Sequence, residues 1–196
     1  MPDQTDDYER VLDTAAELFY TRGIQAVGMA ALRNTAGIPL KRLYRCFSSK
    51  QDIVRAYLQR RDQRWRSELS HYVAHQPGTS EQRVLAVFDW LHHWFNDPGF
   101  RGCAFINATC ELGAADPTVT RIAANHKAAL HAYLTELVRD TRPTDPNGLA
   151  GQLCLLIDGA ITTATINNDA TAATQARTAA ATLVSTACGP RGTVST

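Results

Sequence analysis

The sequence lacks long hydrophobic runs and paired cysteine motifs. No apolar stretch approaches the roughly 20 residues that a membrane-spanning helix requires. The acidic start, Met1 to Asp7, does not have the basic and then apolar pattern of a secretory signal peptide. The five cysteines are odd in number, scattered and without CxxC spacing, which argues against a disulfide framework and favours reduced thiols. We therefore expect a cytoplasmic protein with no membrane partner.

Catalytic and metal-binding patterns are also missing. The chain has no nucleophile motif, phosphate-binding glycine loop or paired-carboxylate pattern, so we expect neither an enzyme nor a bound cofactor. His71 and His75 lie four residues apart on a predicted helix, a spacing that could hold a metal, and His92 and His93 add two imidazoles. Because no cysteine or carboxylate completes a recognisable ligand set, we predict no metal site.

Charge is distributed unevenly along a chain whose formal net charge is only +1. Between Arg33 and Arg66, ten Lys and Arg residues face only Asp52 and Asp62. Such a local excess indicates a surface that binds a polyanion such as nucleic acid. The alternative is a solvated helix face whose neutralising acids come from elsewhere in the fold.

Hydrophobic periodicity indicates helices, and no strand alternation of useful length occurs. Apolar residues recur every three or four positions from Val11 to Phe19, and Gly23 supplies a stop for this first helix. Met29 to Ala36 predicts a short second helix, and Gly37-Ile38-Pro39 a tight turn into a third. Two short helices joined by a glycine-containing turn are typical of a helix-turn-helix.

Capping residues and breaks predict the rest of an all-α fold with about nine helices. Ser48 and Ser49 are candidate N-caps for the fourth helix, and Ser80 for the fifth. Proline- and glycine-rich breaks separate the later helices. The fourth to ninth helices are predicted at 49–73, 81–96, 103–112, 117–138, 149–166 and 170–188.

Residues 8–60 resemble the DNA-binding domain of TetR/AcrR family transcriptional regulators. The resemblance is carried, in order, by Phe19-x-x-x-Gly23, Ala36-Gly37, Leu43-Tyr44-x-x-Phe47 and Ser49-Lys50. The rest of the chain matches only in length and helical character. The chain departs from the family at Gly28, where a Ser or Thr cap is usual, and at Pro39-Leu40-Lys41-Arg42, where Ser-Lys-Gly-Thr is frequent.

The resemblance implies a ligand-responsive regulator, most simply a repressor. Such a protein binds a palindromic operator in double-stranded DNA as a homodimer and is released by a small hydrophobic effector. It also implies a division into three parts. Residues 1–50 form a helix-turn-helix DNA-binding domain, residues 51–188 a helical ligand-binding and dimerisation domain reached through helix 49–73, and residues 189–196 a flexible tail.

The third helix is the predicted reading element. A helix-turn-helix places its second helix in the major groove, with the early residues facing base edges. Those residues are Leu40, Lys41, Arg42 and Arg45. We expect Lys41 and Arg42 to bind guanine O6 and N7, and Leu40 to touch a thymine methyl.

Phosphate contacts are predicted on both sides of this helix. Tyr44 and Lys50 match the family's phosphate-binding positions, and Lys50 also lies at a helix N-terminus, which favours an anion. Arg33 is a further candidate on the supporting helix. The alternatives are a core aromatic for Tyr44 and an exposed, unpartnered charge for Arg45.

The last two helices are the predicted dimer surface because they are rich in Ala and Thr, and small residues let helices approach closely. The alternative is an intrachain pair of core helices. The candidate interface residues are Leu153, Leu156, Ile157, Ala160 and Leu183.

The middle helices are expected to enclose the effector, since pockets combine apolar walls with a few polar groups. The alternative for each candidate is a residue of the apolar core. The candidates are Trp90, His93, Trp94, Phe105, Ile106, Cys110 and His126. A second hypothesis is a redox- or electrophile-sensing repressor that uses Cys103 or Cys110, against the alternative of inert buried thiols.

Overall fold

The computed structural model describes residues 4–188 and is all-α over that range. The all-α class with about nine helices is therefore confirmed, whereas the predicted flexible tail, residues 189–196, lies outside the described residues. The helices are α1 (Gln4–Arg22), α2 (Met29–Ala36), α3 (Leu40–Cys46), α4 (Lys50–Ala74), α5 (Ser80–Phe95), α6 (Ala104–Leu112), α7 (Pro117–Arg139), α8 (Pro146–Asn167) and α9 (Thr171–Ala187).

Local capping chemistry fixes most of the helix ends. Gly23 and Gly37 adopt φ of 84° and 66°, the left-handed region in which glycine is tolerated without strain. Ser49 caps α4 by accepting a hydrogen bond from the Asp52 backbone N–H at 3.1 Å. The cap of α5 is Thr79, one residue before the predicted Ser80, because Thr79 and Gln82 form a reciprocal capping box.

The described chain divides into two compact units. The N-terminal unit contains residues up to 65 together with 103–126, and the C-terminal unit contains 66–102 together with 127 onward. The division falls inside α4, the helix that the sequence predicts as the connection. A functional boundary at residue 50 remains a prediction.

The N-terminal unit packs α1, α2 and α3 around one apolar centre. Leu18, Leu32 and Leu43 are fully buried there, as is Ile53 from α4. Each contributes roughly 1.5–3 kcal/mol by leaving water. With these side chains turned inward, the opposite face of α3 is available to a partner.

The C-terminal unit is built on close packing of α9 against α8 and α5. Leu153 and Ile157 on α8 are fully buried, and so are the small Ala173 and Ala180 on α9. By length and composition alone α8 could cross a membrane, which departs from the sequence expectation that no segment could. The core helix of a soluble protein meets the same criterion, and 39% of the apolar window of α8 is buried within the protein.

Candidate DNA-binding site

The site is the α2–turn–α3 motif, whose turn geometry follows from three residues. Gly37 ends α2 in the left-handed conformation, and its N–H donates to the Asn34 carbonyl at 3.3 Å. Ile38 is buried and anchors the turn, and Pro39 is the extended residue that precedes α3. The predicted helix-turn-helix is present as two helices of eight and seven residues.

The outward face of α3 carries two large side chains that a folded monomer ordinarily buries. Leu40 is 45% exposed and Tyr44 is 48% exposed, while Leu43 between them is fully buried. Lys41 is exposed beside them. The alternative of Tyr44 as a core aromatic is therefore wrong, and the helix presents an apolar, aromatic and cationic surface to solvent.

Arg42 has a partner within the chain. Its Nε and Nη2 both donate to the Asp7 carboxylate at 2.5 Å, and Asp7 is completely buried. A two-point Arg–carboxylate pair fixes geometry as well as charge. The pair engages two of the five guanidinium N–H donors of Arg42 and turns that edge of the side chain toward α1.

The N-terminal part of α1 therefore holds the recognition helix at two points. Asp7 binds Arg42 near the start of α3, and the Tyr8 ring stacks on Phe47, just after its end, with ring centroids 4.7 Å apart. Arg45 also lies 3.9 Å from the Asp7 carboxylate, although its side chain is largely exposed. No local sequence pattern indicates Asp7, because its partner lies 35 residues away.

The remaining predicted phosphate contacts lie on the helices that precede and follow α3. Arg33 is exposed on α2, and its guanidinium donates to the neighbouring Asn34 side chain. Lys50 is the first residue of α4 and is half-buried; burial lowers the pKa of its ammonium, an effect that the nearby Glu111 carboxylate opposes.

The predicted effector residues fall into two sets, one in each compact unit. In the C-terminal unit, the Trp90 ring stacks on the Trp94 ring with centroids 5.6 Å apart. The ring centroids of His93 and Tyr72 are 5.4 Å apart. Trp94 also meets Phe100 edge-on at 5.1 Å. These contacts make an aromatic cluster that the sequence predicted only in part.

In the N-terminal unit the set centres on a buried histidine. The His126 ring is stacked on the Phe105 ring with centroids 3.8 Å apart, and its Nδ1 lies 2.7 Å from the Asp62 carboxylate. Ile106 is half-buried on α6. His126 is thus a paired interior histidine, a role for which Asp62 is the residue that sequence reasoning missed.

The two candidate sensor cysteines differ in access. Cys103, just before α6, is buried, whereas Cys110 on α6 is exposed. Burial and a nearby carboxylate raise the pKa of two other thiols, Cys46 and Cys154, the latter to about 11. Of the two predicted sensors, only Cys110 is open to a reagent in solution.

Three of the predicted dimer residues belong to the core of their own chain. Leu153, Ile157 and Ala160 are buried inside the C-terminal unit, so for them the intrachain alternative is correct. Leu156 and Leu183 are half-buried.

The exposed face of α8 is apolar in a way that the sequence analysis missed. Leu155 is 74% exposed and Ile166 is 76% exposed. Gly159 and Thr162, also exposed, lie between them at spacings of four, three and four residues, which place all four on one stripe of the helix. This stripe is the strongest candidate for burial against another molecule.

Taken together, an outward-facing cationic recognition helix on an all-α scaffold defines a helix-turn-helix DNA-binding protein. Two family models match the chain: bacterial regulatory proteins of the tetR family over residues 11–57, and the tetracyclin repressor-like C-terminal domain over residues 80–180. The chain belongs to the TetR family and is a DNA-binding transcriptional regulator, which confirms the family predicted from its motifs.

Individual relatives agree with this assignment. The chain is 25% identical over 162 residues to the HTH-type transcriptional regulator YjdC of Escherichia coli, covering 81% of this chain and 83% of YjdC. It is 27% identical over 108 residues to the HTH-type transcriptional repressor NemR of E. coli, 55% of this chain and 54% of NemR. A TetR-family transcriptional regulator from Streptomyces coelicolor superimposes with a TM-score of 0.85 at 27% identity, covering 94% of this chain and 97% of that one.

Proposed function

We propose that this regulator is a cytoplasmic repressor that binds a palindromic operator as a homodimer and is released by a small apolar effector. The observation that carries the proposal is the outward face of α3, where Leu40 and Tyr44 are exposed beside Lys41 although Leu43 is buried. The relative NemR is itself named a repressor, which supports this direction of regulation.

Each side chain on this face has a distinct proposed role. Lys41 reads guanine and Leu40 touches a thymine methyl, because both lie at the start of the helix that enters the groove. Tyr44, Lys50, Arg33 and the exposed Arg45 bind phosphates and set the register.

Arg42 takes a different role from the one that its position suggests. Held by the buried Asp7, it fixes the angle of α3 relative to α1 rather than reading a base. We therefore assign Arg42 as a positioning residue.

Dimerisation is proposed through the outward stripe of α8, formed by Leu155, Gly159, Thr162 and Ile166. A recognition helix of two turns buries too little surface to be specific alone, so operator binding requires two copies. The stripe has no charged residue, and Gly159 leaves room for the close approach of a second helix. The half-buried Leu156 on α8 and Leu183 on α9 are proposed as further contacts of this interface.

Effector binding is proposed for the aromatic groups identified above. Trp90, His93 and Trp94 offer one set, and Phe105, Ile106 and His126 another. The helix α4 begins in the N-terminal unit and ends in the C-terminal unit. We therefore propose that α4 transmits a conformational change from the effector site to the helix-turn-helix.

The test is a gel shift with DNA flanking the protein's own gene, against a random duplex of equal length. The proposal predicts a specific complex that dissociates on addition of small hydrophobic molecules chosen from a panel. Equal affinity for both duplexes at physiological ionic strength would contradict it.

Thiol sensing is the second candidate, and the exposure of Cys110 favours that residue over the buried Cys103. Alkylation with N-ethylmaleimide should then abolish DNA binding in the wild type and spare Cys110→Ser. If the alkylated wild-type protein binds DNA normally, this candidate is wrong.

A further inference from the structure

A cavity of about 300 Å³ lies inside the N-terminal unit, beside the first two turns of α4. Its walls come from the loop between α1 and α2, from α4, and from the end of α6 with the turn that follows. Ile24, Val54 and Leu112 make the walls largely apolar. A volume of this size lies at the lower end of the range of small-molecule pockets.

Two cationic side chains from α4 line the same cavity. Arg55 donates from Nη2 to Asp116 at 3.2 Å, and its Nη1 lies 3.6 Å from Asp52. Its Nε is buried and has no hydrogen-bond partner in the described part of the chain. A buried donor without an acceptor is unfavourable, so an acceptor that reaches this nitrogen would be favoured.

Lys50 is the second cation, and among the described residues Asp116 is the one carboxylate in the lining. The Glu111 carboxylate, which also influences Lys50, accepts hydrogen bonds from the backbone N–H groups of Ile24 at 3.1 Å and Gln25 at 2.8 Å. The residues that line the cavity carry two positive charges and one negative charge, and the carboxylates of Asp52 and Glu111 lie beside the two cations.

The loop wall of the cavity is held in place before any ligand arrives. Glu111 clamps the loop through both carboxylate oxygens, and the Gln25 side-chain amide donates back to the Glu111 carbonyl. Gly23, with φ of 84°, brings the loop close to this carboxylate. A wall already ordered in this way lowers the entropic cost of binding.

We propose that this cavity binds a small apolar molecule carrying one carboxylate, with Lys50 and Arg55 as its anion partners. The bound carboxylate and a DNA phosphate would then compete for the same Lys50 ammonium. This second step rests on the proposed phosphate contact of Lys50, whereas binding in the cavity does not.

The binding test uses isothermal titration calorimetry on the full-length protein with octanoate, and with 1-octanol as the uncharged control. Ala115 lines the cavity and is exposed, so Ala115→Phe fills the space without disturbing the core. Ala114 is its exposed neighbour outside the lining, and Ala114→Phe is the matched control. We expect octanoate to bind the wild type and Ala114→Phe at least about tenfold more tightly than Ala115→Phe, and 1-octanol to bind about tenfold more weakly than octanoate.

Equal octanoate affinity in the two phenylalanine variants, or equal affinity for octanoate and 1-octanol, would overturn the site. A thermal melt of each variant shows whether it is folded. Because no DNA is present, this result is independent of the proposed repressor function.

The competition test repeats the DNA titration with octanoate against equal added sodium chloride, since salt alone weakens DNA binding. Octanoate should weaken DNA binding by the wild type and Ala114→Phe but not by Ala115→Phe. If saturating octanoate leaves the DNA affinity of the wild type unchanged, octanoate and DNA do not compete for Lys50.

Discussion

The outward faces of α3 and α8 make an informative comparison. Both helices bury one side in their own unit and expose large apolar residues on the other, Leu40 and Tyr44 on α3, and Leu155 and Ile166 on α8. They differ in charge: three of the seven residues of α3 are Lys or Arg, whereas α8 has only Asp158 as a charged residue.

This difference indicates which partner each face fits. Basic groups beside exposed apolar side chains suit a polyanion whose groove also offers thymine methyls. An uncharged stripe with a central glycine suits a second apolar helix. Exposure marks both faces as binding surfaces, and charge distinguishes their partners.

Removing the Asp7–Arg42 pair, which holds α3 against α1, should change stability and DNA binding most. Arg42→Ala leaves the buried Asp7 carboxylate without its principal partner, which should lower the free energy of unfolding by about 3 kcal/mol. DNA binding should weaken on every sequence, because the helix loses its orientation. Chemical denaturation and DNA titration measure the two effects.

Arg45→Ala is the control for this change, since Arg45 lies 3.9 Å from the same carboxylate and is largely exposed. It should leave the free energy of unfolding within about 0.5 kcal/mol of the wild type. Equal destabilisation by both substitutions would contradict the role assigned to Arg42.

Placing charge on the stripe of α8 should have the next largest effect. Leu155→Glu removes an apolar anchor worth roughly 1.5–3 kcal/mol, so the dimer dissociation constant should rise by about 10- to 100-fold. Sedimentation equilibrium measures it, with Ala128→Glu, exposed on α7, as the control of equal charge. If the dimer dissociation constant is unchanged in Leu155→Glu, the α8 stripe is not the interface.

Two substitutions separate base reading by α3 from phosphate binding. Lys41→Ala should cost roughly 1–3 kcal/mol on the operator and little on random DNA. Lys50→Ala should weaken both and lower the salt slope by about one. Fluorescence anisotropy at several salt concentrations distinguishes the two patterns; identical losses would refute the division of roles.

The smallest predicted effect concerns the cap of α2. Gly28 makes no side-chain cap hydrogen bond, and a Cβ there would meet no atom within 4 Å. Gly28→Ser should therefore stabilise the fold by about 0.5 kcal/mol without changing DNA affinity. Gly28→Ala is the control that lacks the hydroxyl, and if it stabilises as much as serine, the cap is not the cause.

Features governed by local chemistry were predictable from the sequence. Gly23, Gly37 and Ser49 end or begin helices where expected, because each acts through its own backbone or through a neighbour within one turn. The motif that carries α3 was found for the same reason. Once Leu43 is assigned to the core, the residues on the opposite side of α3 must face outward.

Features that depend on distant partners or on the choice between apolar faces were not predictable. The Asp7–Arg42 pair joins residues that no local pattern connects. In α8, apolar residues occur on every side, so periodicity could not separate the buried Leu153 from the exposed Leu155. Packing against α9 determines which face of α8 is buried.

The most direct test of the account is methylation protection on DNA flanking the protein's own gene, because it reports guanine N7 in the major groove. Two copies of α3 should protect guanines in two symmetric half-sites about one helical turn, roughly 34–36 Å, apart. Lys41→Ala should lose protection at one position in each half-site. Protection of a single half-site, or a pattern unchanged by Lys41→Ala, would contradict the claim that paired α3 helices read the operator.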